Sequence, residues 1–457
     1  MAASLPPGFM TMPGDTGASR AVLAGLSGGL DSVVLLHLLR AQPGIRDAGL
    51  RAIHVHHGLH AAADDWVDHC IALCKTLDVP LQVVRVEVER DAGSGLEAAA
   101  RAARRRAFAN ALCDGETLAL AHHRDDQAET FLLRALRASG PDGLAAMRPW
   151  QRFASGWLWR PLLDVPRAWL LAHANAHGLH WIDDPSNENT AHDRNFLRHR
   201  ILPLLRERWP EADAALARSA ALASEARELL AEGDDAALAT ARTPDAQVLS
   251  TTALDALPRA RRARALRRWI ETLQLPPLPA QGVARIEADL LAAGTDTDAA
   301  FEWHGARVRR WRDLLHAGVC DEPLSPEWHA HWDGREPLAL PTGGEMRLDG
   351  TDAFDAPMRA HARQGGERIR LPGRDHSHAL KHVLQDLGVP PWQRERLPLL
   401  SDVYGEVLAA GDLVVSASLD AWLRTHQARL HWQPRAGVTP PTSPRGSAQA
   451  AMTNRQP

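Results

Sequence analysis

Over the first third of the chain, short apolar runs alternate with longer stretches whose apolar residues recur at helical spacing. "RAVLAGL" (Arg20–Leu26) predicts a strand and "SVVLLHLLRA" (Ser32–Ala41) a helix. "LRAIHVHHGL" (Leu50–Leu59) and "PLQVVRVEV" (Pro80–Val88) read as two more strands, separated by the amphipathic "DDWVDHCIALCKTLD" (Asp64–Asp78). A long Ala/Arg helix follows at "LEAAARAARRRAFANALC" (Leu96–Cys113), then a fourth strand at "TLALAHH" (Thr117–His123) and a helix at "DDQAETFLLRALR" (Asp125–Arg137). Such alternation predicts βαβ units, a parallel sheet and an α/β fold. Ligands of these sheets bind beyond the carboxyl ends of the strands. Two unusual polar clusters fall at those ends, Ser27–Ser32 and His122–Glu129.

After Pro210 the pattern changes. Residues 211–325 are rich in Ala, Leu and Arg at helical spacing and predict a mainly helical domain. Prolines at 323, 326, 337 and 341 mark a linker over 326–344, and residues 345–433 read as a small mixed α/β module. Residues 1–19 are expected as a flexible leader, 20–210 as the α/β domain, and the Pro/Ser/Thr/Gly-rich 434–457 as a disordered tail.

A chain of 457 residues is too long for one core. Its 45% hydrophobic and 24% charged residues are ordinary for a globular protein. No run of ~18 uncharged apolar residues occurs, and the first residues lack a basic segment leading into an apolar one; neither a membrane span nor a secretory signal is expected. The four cysteines, Cys70, Cys74, Cys113 and Cys320, do not make a disulfide framework and fit a reducing cytoplasm. Cys70 and Cys74 are four apart and are expected to pack on one helix face. A net charge of -4 argues against an indiscriminate polycation, yet clustering on one face decides RNA binding. Among 52 Lys and Arg, only Lys75 and Lys381 are lysines, so few lysines can serve as phosphate contacts or nucleophiles.

"AGLSGGLDSVVLL" (Ala24–Leu36) has the grammar of a phosphate-binding turn without the lysine of G-x-x-x-x-G-K-[ST]. Gly28 and Gly29 let the backbone approach an anion closely. Backbone N–H groups along Ser27–Ser32, that of Leu30 included, can form an anion nest at the helix start. Ser27 and Ser32 add hydroxyl groups. Asp31 is the odd member, because a carboxylate repels phosphates unless a cation such as Mg²⁺ bridges them. A capped turn is the plainer reading; S-G-G-L-D-S between a strand and a helix favours a nucleotide. In "AHHRDDQAET" (Ala121–Thr130), His122, Asp126 and Glu129 lie at i, i+4 and i+7 and share a helix face, with Asp125 at its edge. An imidazole and carboxylates there suit Mg²⁺ binding or acid–base chemistry. The plainer alternative is a solvated acidic helix start.

The SGGxDS loop resembles that of the N-type ATP pyrophosphatases, which grip the pyrophosphate of ATP and adenylate a substrate oxygen. H-H-x-D-D-Q-A-E-T-x-L-L is similar to the second motif of the tRNA(Ile)-lysidine synthetase family within that superfamily. The match continues through "GLEAAARAARRRAF" (Gly95–Phe108), "SGPDGLAAM" (Ser139–Met147), "RPLL" (Arg160–Leu163) and "WIDDPSNENTAHDRNFLRHRILPLL" (Trp181–Leu205), so that it spans residues 20–210. Arg105 stands where the family has an aromatic residue, His192 where it has Tyr, and "GL" precedes the glycine loop.

The resemblance implies a Rossmann-like ATP pyrophosphatase domain. It also implies a ligase that joins L-lysine to C2 of the wobble cytidine, position 34, of a minor isoleucine tRNA with a CAU anticodon. ATP first adenylates the C2 oxygen and releases diphosphate. The lysine ε-amine then attacks C2 and expels AMP, and decoding changes from AUG to AUA. Ser27, Gly28, Gly29, Leu30, Asp31 and Ser32 are expected to bind ATP. Asp31 and Asp126 are expected to hold Mg²⁺, and Asp31, His122, Asp126 and Glu129 to serve catalysis. Asp126 and Glu129 remain open between metal ligand, amine contact and base. Arg101, Arg104, Arg194 and Arg198 are expected to face the nucleotide or the tRNA backbone. A homodimer is left open.

The C-terminal half resembles the longer members. "LPRARRARALRRWI" (Leu257–Ile270) places arginines on a helix that could lie along tRNA phosphates, and "RVRRWRDLL" (Arg307–Leu315) reads similarly. "GERIRLPGRDHSHALKHVLQDLGVPPWQRERLPLL" (Gly366–Leu400) resembles their last domain, with Arg374, His376, Lys381 and Arg394 as tRNA contacts. Acidic stretches such as "ELLAEGDD" (Glu228–Asp235) are expected to lie apart from the basic clusters. A tRNA thiolase is disfavoured by the absence of C-x-x-C. A glutamine-dependent synthetase would need a glutaminase domain, and a non-catalytic binding module would leave the second motif without a task.

Overall fold

β1 (Val22–Gly25) shows why the first strand is central: Val22 and Ala24 enter one core and Leu23 the other, as period-two alternation requires for a strand covered on both faces. The chain continues through α1 (Leu30–Arg40), α2 (Pro43–Ala48), β2 (Leu50–His56), α3 (Ala63–Leu77), β3 (Leu81–Arg85), α4 (Leu96–Ala111), β4 (Thr117–Ala119) and α5 (Arg124–Ala135). Next come α6 (Pro141–Leu144), β5 (Trp150–Phe153), β6 (Gly156–Trp159) and α7 (Arg167–Ala176). The sheet order is β3-β2-β1-β4-β6-β5, parallel except for the edge strand β5. β1 therefore sits where the strand order reverses, and the crevice for a ligand opens at the carboxyl ends of β1 and β4.

This computed structural model describes residues 5–12, 20–60, 62–88, 96–279, 281–292, 299–320 and 322–434. They divide into two units, Met1–Ala231 and Glu232–Pro457. In the first unit, α1 is apolar on nearly every side and is enclosed, with Leu170 and Ala174 of α7 and Cys70 and Cys74 of α3 in the same core. Phe108 and Leu112, on and just beyond α4, cover the other face with Leu118, Phe153 and Leu158. The β5–β6 hairpin was not apparent in the sequence pattern. A Cβ at Gly156 would lie 2.1 Å from the Glu116 carbonyl oxygen, so the hairpin can approach β4 only with glycine there.

The leader expectation fails for residues 5–12: Leu5, Phe9 and Met12 pack on the core, and Met10 accepts a hydrogen bond from Trp159 Nε1 at 3.1 Å. The rest of 1–19 and the tail beyond residue 434 lie outside the described residues.

Further along, α8 (Asp193–Phe196) runs through a π-helical turn (Leu197–Ile201) into α9 (Leu202–Arg208), and α10 (Ala212–Ala241) crosses the division between the units. The second unit continues with β7 (Val248–Ser250), α11 (Thr251–Ala256), α12 (Arg259–Thr272), α13 (Gly282–Arg285), β8 (Ala300–Trp303), β9 (Ala306–Trp311) and β10 (Leu314–Val319). The mainly helical domain thus also carries a four-stranded antiparallel sheet, ordered β7-β10-β9-β8. "RVRRWRDLL" is the β9–β10 hairpin, turned at Arg312 (φ 55°), and not a helix. Buried Ala306 and Val308 alternate with partly exposed Arg307 and Arg309, a period of two that the run of arginines obscured.

The expected linker is also structured. β11 (His329–Trp332) pairs with β14 (Met358–His361), and β12 (Leu338–Ala339) with β13 (Gly344–Asp349). The prolines punctuate these strands. β15 (Arg368–Arg370), β16 (Ser377–Ala379), α14 (Leu380–Asp386), α15 (Pro391–Arg394), β17 (Leu399–Ser401), β18 (Val407–Ala410), β19 (Val414–Val415), α16 (Ala417–Thr425) and β20 (Arg429–Pro434) complete a mixed α/β module around one core. Among the described residues no helix is long and apolar enough to cross a membrane.

Candidate active site

The glycine loop occupies the turn from β1 into α1. Gly28 has φ +90°, and a Cβ there would meet Ile182 Cδ1 at 3.1 Å and Cys70 Sγ at 3.3 Å, so conformation and space both demand glycine. The Gly28 carbonyl accepts from Ile182 N–H at 2.9 Å, which ties the loop to the "WIDDPSN" segment. Ser32 Oγ donates to the Gly29 carbonyl at 2.9 Å and accepts from Ser27 N–H at 3.2 Å; the two serine hydroxyls are 3.1 Å apart. These bonds fix the loop with the first-turn N–H groups of α1, which have no acceptor within the helix, at its mouth. The Leu30 side chain is in the core, so only its backbone can serve a ligand.

The second cluster folds differently from its helical projection. α5 begins at Arg124, and His123 is its N-cap residue. His122 therefore precedes the helix instead of sharing a face with Asp126 and Glu129. Burial, opposed by Asp126 and reinforced by Arg160, Arg194 and Arg101, pushes the His122 imidazole down to about 3. It is neutral at physiological pH, and its Nδ1 is buried without a hydrogen-bond partner.

His123, not singled out from the sequence, joins the two clusters. It is fully buried; its Nε2 lies 3.5 Å from both Asp31 Oδ2 and Asp126 Oδ2, and its Nδ1 3.8 Å from Asp125 Oδ1. Burial disfavours its charge, but Asp126, Asp31 and Asp125 outweigh burial and hold its pKa above the ordinary value. The paired "HH" could have raised this possibility, but only the helix start decides which histidine points inward.

Asp126 and Glu129 are locked with Arg194 and Arg198. Arg194 Nε donates to Glu129 Oε2 at 2.6 Å and its Nη2 to Asp126 Oδ1 at 2.9 Å. Arg198 Nε donates to Glu129 Oε1 at 2.7 Å and its Nη2 to Asp126 Oδ1 at 3.1 Å. The Asp126 Oδ2 accepts the His123 N–H at 3.1 Å. Glu129 is 0% exposed. The π-helical turn begins between the two arginines, and such turns often occur at functional sites. Arg206 joins Asp125 at 2.9 Å and Asp213 at 2.5 Å. Arg194 and Arg198, expected to face phosphates, direct these guanidinium nitrogens to the carboxylates of Asp126 and Glu129.

The chemistry of the donors separates the two expected Mg²⁺ ligands. Asp31 Oδ1 is buried without a hydrogen-bond partner, 3.8 Å from Arg167 Nε, and fits a hard cation shared with phosphate oxygens. Asp126 does not fit, since both of its oxygens are occupied by Arg194, Arg198 and His123. Among the described residues no group of three or more His, Cys, Asp or Glu could hold a metal.

Beside this site, Arg101, Arg104, Arg105, Arg134 and Arg160 have no carboxylate partner among the described residues. Burial and then Arg105, Arg101 and Arg134 push Arg160 down to about 10; desolvation and Arg101 lower Arg104, Arg105 and Arg134. Arg105 lies over the Phe153 ring at 4.7 Å. Arg104 Nε donates to His57 Nε2 at 3.3 Å. In the second unit, Arg374 and His376 are exposed in the β15–β16 turn and Lys381 on α14, whereas Arg394 donates to the Val389 carbonyl at 2.5 Å. Four of the six arginines of α12 meet acids instead: Arg264 meets Asp234 at 2.5 Å, Arg268 meets Asp235 at 2.7 Å, and Arg262 and Arg259 meet Glu287 at 3.1 and 3.4 Å. "ELLAEGDD" thus contributes partners to the basic helix, contrary to the expected segregation.

Three family models match the chain: a PP-loop domain over residues 10–205, a TilS substrate binding domain over 249–316 and a TilS substrate C-terminal domain over 358–432. A tRNA(Ile)-lysidine synthase of Xanthomonas axonopodis pv. citri is 57% identical over 417 residues, covering 91% of this chain and 94% of the relative. One from Xylella fastidiosa Temecula1 is 53% identical over 418 residues, with coverage of 90% and 95%. One from Edwardsiella ictaluri is 41% identical over 427 residues, again with coverage of 90% and 95%.

Proposed function

The chain belongs to the tRNA(Ile)-lysidine synthase family, an ATP-using ligase family, and from that premise we propose how its own residues divide the reaction. The substrates are L-lysine, ATP and the isoleucine tRNA whose anticodon is CAU, and the place of action is the cytoplasm. The C2 oxygen of the wobble cytidine attacks the α-phosphorus of ATP, and diphosphate leaves. The lysine ε-amine then displaces AMP from C2, loses a proton and leaves lysidine.

One observation carries the assignment: Asp31, with an unpartnered buried oxygen, opens α1 directly after the glycine loop. Mg²⁺, when bound, would neutralise the repulsion between that carboxylate and the phosphate oxygens. The loop amides and the hydroxyls of Ser27 and Ser32 cradle the leaving diphosphate. His123 orients Asp31 from behind. Asp126 and Glu129 are positioning residues that act through Arg194 and Arg198, and His122 lies beside them as a neutral hydrogen-bonding group. Arg101 and Arg104, repelled by one another and without a carboxylate partner among the described residues, receive the tRNA backbone.

The direct test mixes the protein with Mg²⁺-ATP, labelled lysine and the CAU isoleucine tRNA. Label enters the RNA, with AMP and diphosphate as products; formation of ADP would refute the proposal. The methionine tRNA with the same anticodon is a poor substrate. Asp31→Ala lowers incorporation by roughly 10²–10³-fold, the range for losing a group that stabilises transition-state charge. Wild-type incorporation by that variant would remove Asp31 from the mechanism.

A further inference from the structure

A second cluster of arginines lies where the β9–β10 sheet meets the C-terminal module, far along the chain from the glycine loop. It surrounds a cavity of about 60 Å³ lined by Gln247, Arg307, Arg309, His316, Glu395 and Arg396, with Trp392 at its wall. Space of that order accommodates a small oxyanion or a few waters. Arg309 is 12% exposed and offers Nη1 to Glu395, whose Oε1 and Oε2 both lie at 2.9 Å. Arg309 Nε is buried and has no partner. Glu395 itself is 41% exposed. A partly solvated carboxylate therefore takes one edge of a guanidinium whose other donor is left unsatisfied.

A phosphate can accept from both Nε and an Nη group, which suits the fork of arginine better than the present contact does. Gln247 Oε1 is likewise buried without a partner, and turning the amide would present its N–H₂ to the same space. Burial, then Arg309 and Arg396, push His316 down to about 3, so its ring is a neutral group stacked on Trp392 at 4.5 Å. Arg307 is paired with Glu302 at 2.6 Å. Outside the cavity, the guanidinium groups of Arg312 and Arg394 lie 4.6 and 5.7 Å from the Trp311 ring centre, and neither has a carboxylate partner among the described residues. Arginines laid on tryptophan faces beside this cavity make a track for a phosphate backbone.

We infer that this junction is a phosphate-binding site, filled by a phosphodiester of the bound tRNA that displaces Glu395 from Arg309. The inference rests on the tRNA reading proposed above. It adds a named contact between the sheet and the C-terminal module, outside the reaction centre.

The test measures tRNA affinity of the full chain against salt for wild type, Arg309→Gln, Arg309→Lys and Glu395→Gln, with thermal melting as a folding control. Arg309→Gln is expected to weaken binding about tenfold and to lower the slope of log K against log [salt] by about one. Arg309→Lys recovers part of the slope. Glu395→Gln removes the competing carboxylate and is expected to tighten binding about two- to fivefold. If Arg309 and Glu395 only brace the junction, both glutamine variants weaken binding or neither changes it, and the inference falls. In a second arm, inorganic phosphate is titrated while melting is followed. Stabilisation of wild type but not Arg309→Gln, with tRNA affinity unaltered, would assign the cavity to free phosphate and overturn its assignment to tRNA. Wild-type lysine incorporation is run alongside: its failure strikes the proposed reaction, whereas incorporation with an unchanged Arg309→Gln strikes only this site.

Discussion

α4 and α12 look alike in sequence, and the surroundings of their arginines set them apart. Both are rich in Ala and Arg, and both read as faces for tRNA phosphates. Around α12 the structure sets Asp234, Asp235, Asp255 and Glu287, so that Arg259, Arg262, Arg264 and Arg268 are engaged within the fold. Around Arg101, Arg104 and Arg105 of α4 it sets further arginines, Arg134 and Arg160, and these have no carboxylate partner among the described residues. Repulsion among like charges costs stability unless something outside the fold relieves it. A basic helix is evidence for an anionic partner only once its acids have been located.

The largest effects expected from breaking this contrast are on stability. Arg264→Ala removes the partner of Asp234, which is 6% exposed, and leaves a buried charge uncompensated. It should cost about 3–5 kcal/mol, seen as a lower melting temperature, with lysine incorporation per folded molecule unchanged. Glu129→Gln in the active-site knot should cost a similar amount, because Arg194 and Arg198 lose a fully buried partner, but here activity falls as well. If Arg264→Ala instead melts normally and loses tRNA affinity, the two helices have the same role.

Next comes Arg101→Ala with Arg104→Ala. Two charge-assisted contacts of about 1–1.5 kcal/mol each predict a ~30- to 150-fold loss in kcat/KM for tRNA. Melting should be unchanged or raised, since the mutual repulsion is relieved. A fall in melting temperature comparable to that of Arg264→Ala would show that these arginines are structural.

The knot adds a pH dependence of intermediate size. Burial alone would raise Asp126, but His123, Arg194, His122 and Arg198 together hold it well below the usual carboxylate range. A depressed carboxylate contributes stability that is complete above its unfolded pKa, about 3.9, and is lost as pH falls toward the folded value. Wild-type stability should therefore drop by about 2 kcal/mol below pH 4 from this group. Asp126→Asn should be less stable at pH 7 and show a shallower acid limb; an unaltered limb would detach Asp126 from that behaviour.

The same logic of partners explains what the sequence conveyed. Local order was legible: the glycine loop falls between β1 and α1, and the second motif falls after β4, because strand–helix alternation is written in apolar spacing. Pairing across the chain was not. Arg194 and Arg198 meet Asp126 and Glu129 across sequence gaps of 65 to 72 residues, and charge type alone could not distinguish that knot from a phosphate site. Helical spacing carried back past the N-cap selects His122, whereas the helix start at Arg124 makes His123 the capping, inward residue. In β9, arginines at alternate positions concealed a strand whose signal was the buried Ala306 and Val308.

The smallest expected effect gives the sharpest form of the comparison. Arg268 pairs with Asp235 at 2.7 and 3.0 Å, but the side chains are 31% and 49% exposed. Water and salt screen such a pair, so Arg268→Gln should change stability by less than about 1 kcal/mol. Its charge is already matched within the fold, and tRNA binding should keep the wild-type salt dependence. Arg101→Gln, which removes a charge without a carboxylate partner among the described residues, should lower the magnitude of the log K–log [salt] slope by about one. Equal slopes for the two variants would mean that Asp235 does not neutralise α12 toward RNA, and that helix would regain the role its sequence suggested.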